Sequence, residues 1–75
     1  MKISYIRHAL LRLKERGISR QEVEEAIIKG QERKIQPNGR IKCFYKSGEE
    51  TIVVIYSQQK DVYKIITAYY LSYEN

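Results

Sequence analysis

At Gly30 the hydrophobic period of this sequence changes from that of a helix to that of a strand, and the change divides the chain into two halves. Before it, Ile6, Ala9, Leu10 and Leu13 recur at i, i+3, i+4 and i+7, which places them on one helical face. The spacing predicts a first helix from about Ser4 or Tyr5 to Arg16. Gly17 ends it in the left-handed position that a residue without Cβ accepts. Ser19 and Glu22 announce a second helix at capping-box spacing, each side chain satisfying a backbone N–H at the other position. Ile18 and Val23 sit where a hydrophobic staple closes the entry, and Val23, Ala26 and Ile27 form the buried stripe. Glu22, Glu24 and Glu25 put negative charge at the positive end of the helix dipole. Lys29 and Gly30 supply the last-turn cation and the stop.

Beyond Gly30 the period is 2. Glu32 to Gln36 is a short, polar edge strand, and Pro37-Asn38-Gly39 is a turn in which Pro presets φ and Asn-Gly accepts positive φ. Arg40 to Lys46 alternates, with Ile41, Cys43 and Tyr45 on one face and Arg40, Lys42, Phe44 and Lys46 on the other. Ser47 to Glu50 closes a hairpin. Thr51 to Tyr56 is apolar throughout, as expected of a central strand covered on both faces. Ser57 to Asp61 turns again, and Val62 to about Leu71 forms a final long strand. The expected fold is a single α+β domain over residues 1–75, with two N-terminal helices packed on a three- to four-stranded antiparallel sheet.

A chain of this length buries only about 60% of the surface that its unfolded form exposes, so its core is thin. Disulfides cannot reinforce it, because Cys43 is the single cysteine. In an apolar run such a thiol is a small hydrophobe suited to a reducing compartment, and the expected location is the cytoplasm. Lys2, Arg7, His8 and Arg12 interrupt the N-terminal segment, which does not read as a signal peptide. Ile52 to Tyr56 is too short to cross a bilayer. One His and one Cys provide no zinc-binding set, so neither metal nor cofactor is expected.

Fourteen Lys and Arg against nine Asp and Glu give a formal net charge of +5. That sign attracts polyanions, and seven tyrosines offer rings for stacking and hydroxyls for phosphate contacts. The first helix carries a second pattern beside its apolar stripe. At 100° per residue Tyr5, His8, Arg12 and Arg16 fall within about a quarter-turn, with Glu15 beside His8. Arg offers bidentate, permanently charged hydrogen bonds and His exchanges a proton near neutrality, so this edge is a candidate phosphate-handling array. Its plain alternative is a solvated edge on which Arg12 and Arg16 pair with Glu15 or Glu22. In the strands, Arg40, Lys42 and Lys46 share one side of theirs, while Thr67 and Tyr69 share one face of the last, with Tyr70 on the other.

The run from His8-Ala9 through Arg12 to Arg16-Gly17-Ile18-Ser19, followed by Arg40, the apolar Ile52 to Ile55 and Ile65-Ile66-Thr67-Ala68-Tyr69, resembles a family of small bacterial and archaeal domains of unknown function. That family is similar in layout to the RelE-like and barnase-like ribonuclease toxins. The resemblance implies a metal-independent cleavage of RNA in which the 2′-hydroxyl attacks the adjacent phosphate. It would assign His8, Arg12, Arg40 and Tyr69 to catalysis, and Tyr5, Arg16, Lys42, Lys46 and Thr67 to RNA binding. The implied partners are RNA or the ribosome, and an acidic antitoxin protein. Two other functions fit the residues: a non-catalytic RNA- or ribosome-binding module, and a protein-interaction domain that uses an exposed final strand as a sheet edge.

Overall fold

A computed structural model describes residues 1–71. The chain runs β1 (Lys2–Tyr5), α1 (Arg7–Arg16), α2 (Arg20–Lys29), β2 (Glu32–Ile35), β3 (Ile41–Ser47), β4 (Glu50–Gln59) and β5 (Val62–Tyr70). The strands form one five-stranded sheet in the order β1-β5-β4-β3-β2. This corrects the expected three- to four-stranded antiparallel meander, because β1 pairs parallel to β5, Lys2 opposite Val62 and Tyr5 opposite Ile65, and makes the sheet mixed. Tyr5 therefore lies on a strand, and α1 begins only at Arg7. The final strand is interior too, flanked by β4 and β1, so the sheet edges are β1 and β2.

The helices form for the reasons their sequences supply. Ser19 Oγ accepts from the Glu22 backbone N–H at 3.1 Å, and Glu22 Oε1 accepts from the Ser19 N–H at 2.9 Å, completing the capping box. Gly17, at φ 67°, closes α1, and its N–H donates to the carbonyls of Leu13 and Lys14. Gly30 ends α2 differently. Its φ is −53°, open to any residue, but a Cβ there would lie 2.4 Å from Cys43 Sγ and 2.6 Å from the Ala26 carbonyl. Glycine is needed there for close approach of α2 to β3.

Both helices cover one face of the sheet. Ala9, Leu13, Ile18, Val23, Ala26 and Ile27 join Cys43, Ile52, Val54, Tyr56, Ile65 and Ala68 in one buried cluster. Ile65 and Ala68 both reach it, three positions apart, because a β-bulge leaves Ile66 unpaired between the pairs Tyr56–Ile65 and Ile55–Thr67. β4 runs on to Gln59, beyond the expected turn at Ser57, and the reversal is confined to Lys60 and Asp61. Cys43 is fully buried and its Sγ lies 3.1 Å from the Ala26 carbonyl. Burial pushes its thiol pKa up, with the Arg33 charge opposing. The nucleophilic thiolate is thus doubly suppressed, by pKa and by access. Iodoacetamide is expected to label the native protein about a hundredfold more slowly than the urea-unfolded chain; equal rates would place Cys43 outside the core.

Candidate functional site

Among the described residues no helix packs on the opposite face of the sheet, and the side chains there follow from register. Phe44 and Tyr69 are both Cα partners of Val53, one from β3 and one from β5. Val53 is fully buried yet stands outside the helix-covered cluster. Phe44 and Tyr69 flank it on the neighbouring strands. Lys34 on β2 is the direct partner of Lys42 on β3. Both ammonium groups lie 5.6 Å from the centre of the Phe44 ring, and that of Lys42 is also 5.9 Å from the centre of Tyr69.

From the helix side Arg16 completes the row. β1 covers only the first half of β5, through Ile65, so the outer side of β5 beyond it is met by the end of α1. Arg16 Nη1 donates to the Ala68 carbonyl at 2.8 Å and to Thr67 Oγ1 at 3.3 Å. Its guanidinium carbon stands 5.9 Å from the Tyr69 ring centre. A row of alternating cations and rings results, Arg16, Tyr69, Lys42, Phe44 and Lys34, crossing the open face from the β5 side to the β2 edge. Each neighbouring pair meets within the range of a cation–π contact.

Of the residues singled out in the sequence, Arg16, Lys42, Thr67 and Tyr69 are brought together. Arg12 and His8 continue the edge of α1 away from them: Arg12 Nε donates to His8 Nε2 at 3.2 Å, and Arg12 Nη1 pairs with Glu15 Oε1 at 3.0 Å. His8 lies two turns back from Arg16, about 12 Å along the axis. Arg40 is exposed in the turn before β3, where its backbone N–H donates to Asn38 Oδ1. It stands four residues from Phe44, about 13 Å along the strand. Tyr5 faces elsewhere, its ring 5.2 Å from the Arg20 guanidinium and its hydroxyl donating to the Arg20 carbonyl at 3.5 Å. Lys46 follows Phe44 on the same face, opposite Thr51.

Two side chains gain importance that sequence reasoning had not given them. Lys34 and Phe44 belong to the row. Arg33, on the helix face of β2, donates to the carbonyls of Ile27 and Gly30 and so caps the end of α2. Hydrogen bonding to Tyr56 pushes its guanidinium pKa further up. Among the described residues no three His, Cys, Asp or Glu side chains gather as metal ligands would. No described helix is long and apolar enough to cross a membrane.

Neither the curated proteins nor the solved structures contain a match to the chain. A family model does match, that of a domain of unknown function, DUF4258, over residues 5–70. This span includes both helices, β2 to β5 and every member of the cation–ring row, and the chain belongs to the DUF4258 family.

Proposed function

We propose that the open face of the sheet is an RNA-binding surface and that the protein acts as a small RNA-binding module in the cytoplasm. The observation that carries this reading is the cation–ring row of Arg16, Tyr69, Lys42, Phe44 and Lys34. Two features favour a polyanion as its ligand. The chain carries a net charge of +5, and Lys34 and Lys42 stand directly opposite each other, with no carboxylate in ion-pairing distance of Lys34 among the described residues. Like charges on directly opposed strand positions repel, whereas a phosphate between them turns that repulsion into attraction. An acidic protein partner would compete for the same face.

Anisotropy titrations of a labelled RNA strand at increasing salt test the proposal. Three phosphates neutralised by Arg16, Lys34 and Lys42 give a slope of log affinity against log salt of about −2. Lys34→Gln with Lys42→Gln is expected to flatten it to about −0.7. A slope near zero in the wild type would refute an electrostatic RNA surface. Cleavage is the second reading, supported by the contact between His8 and Arg12 on the α1 edge that leads to Arg16. Incubating the same RNA with EDTA present decides it: shortened products lost in His8→Ala support cleavage, and intact RNA leaves binding alone.

A further inference from the structure

Resting on the RNA-binding reading, we infer that the open face takes an unpaired RNA segment whose bases are splayed apart, two of them stacking on Phe44 and Tyr69. The register sets the distance between the rings. Both residues pair with Val53, from opposite sides of β4. They are two inter-strand spacings apart, about 10 Å. A stack of bases advances only about 3.4 Å per layer. Bases resting on these two rings are therefore not stacking neighbours, and a strand must be opened to use both. In a duplex, bases turn only their edges to the grooves, so a duplex can reach the cations but not the rings.

The order of groups along the row suits an extended strand. Arg16 lies beside Tyr69, Lys42 is in contact range of both rings, and Lys34 lies beside Phe44. Cation, ring, cation, ring, cation matches the phosphate, base, phosphate, base, phosphate sequence of an opened backbone. RNA is the source of such a strand, because its loops and ends present splayed bases as a matter of course, and proteins recognise them there by aromatic stacking.

The test titrates wild type, Phe44→Leu and Tyr69→Leu with labelled penta-uridylate, its deoxy counterpart and a blunt RNA duplex. Leucine keeps an apolar side chain beside Val53 while removing the π face, and urea midpoints check the fold. The unpaired RNA is expected to bind at least about tenfold more tightly than the duplex at equal salt, and each leucine to weaken it about tenfold. Duplex affinity and the salt slope should not change. Equal affinity for strand and duplex, with leucine variants matching wild type, overturns the inference and leaves the electrostatic surface standing. Absence of salt-dependent binding to any of the three overturns both. Preference for the deoxy strand overturns the assignment to RNA. Should a leucine variant lose its fold, the wild-type comparison of strand with duplex decides alone.

Discussion

Replacing Gly30 with alanine is expected to lower stability by about 3 kcal/mol, the upper end of the range for overpacking a core. For a domain of this size that is a large share, since stability runs at about 0.1 kcal/mol per residue. The backbone argues the other way, which makes the prediction informative. At φ −53° and ψ 136° alanine meets no conformational penalty and would restrict the unfolded chain, a gain of about 0.4–1 kcal/mol. Sterics must outweigh this. The new Cβ would stand 2.4 Å from Cys43 Sγ and 2.6 Å from the Ala26 carbonyl oxygen, with the Phe44 carbonyl at 3.3 Å. None of these yields easily: Cys43 is fully buried, and the Ala26 carbonyl already accepts from the Gly30 N–H at 2.9 Å. The Phe44 carbonyl accepts from the Gln31 N–H at 3.0 Å. Adding Cys43→Ala removes one obstruction and leaves the backbone oxygen, so it should recover only part of the loss. Urea midpoints of the two variants measure both effects. A midpoint unchanged in Gly30→Ala would mean that α2 and β3 have slack at their junction, contrary to the packing described.

The expectation that Gly30 ends α2 was right about where the helix stops, but the sequence conceals why. A glycine after a helical stripe normally reads as a residue chosen for positive φ. That holds for Gly17, whereas Gly30 is chosen for the approach of a strand thirteen residues further on. The capping box, the first two hairpin turns and the apolar β4 were legible because each is written in neighbouring residues, whereas the last turn was expected at Ser57 and falls at Lys60 and Asp61. β1 was not. Ile3 and Tyr5 alternate with Lys2 and Ser4 over four residues only, and their partners lie in β5 at the far end of the sheet-forming half. No turn announces a parallel pairing, and the helical stripe beginning at Ile6 extends plausibly backwards over the strand.

The row on the open face was legible in halves. Alternation placed Lys42 and Phe44 together, and Thr67 with Tyr69, each on its own strand. Joining them required the register across β4, which the bulge at Ile66 sets. Lys34 could have been found from the Pro37-Asn38-Gly39 turn, since Ile35 opposite Ile41 fixes Lys34 opposite Lys42. The helical edge from His8 to Arg16 had only its last member in reach of the sheet, because α1 crosses β5 at the point where β1 leaves it. Arg16 thereby serves two ends, satisfying the outward carbonyl of Ala68 and bringing a guanidinium to Tyr69.

Lys34→Glu is expected to make the protein more stable and its RNA binding weaker. In the wild type two ammonium groups occupy directly opposed positions of β2 and β3 and share the Phe44 ring. Such a like-charge pair costs a few tenths of a kcal/mol, and an opposite-charge pair contributes about as much. Reversing one charge should therefore raise Tm by about 3 °C. Against RNA the same change removes a phosphate contact and adds a repulsion at the end of the row. Affinity should fall about tenfold or more, and the salt slope should flatten by at least about 0.7. Lys34→Gln should fall between wild type and Lys34→Glu in both measurements. An edge strand also carries lysines to repel unwanted strand pairing, and glutamate preserves that protection because it too is charged. The two roles thus separate in one variant. Higher stability with weaker binding would identify the opposed lysines as a cost in stability retained for the ligand. Unchanged binding would leave Lys34 as a guard of the β2 edge and shorten the row to Arg16, Tyr69, Lys42 and Phe44.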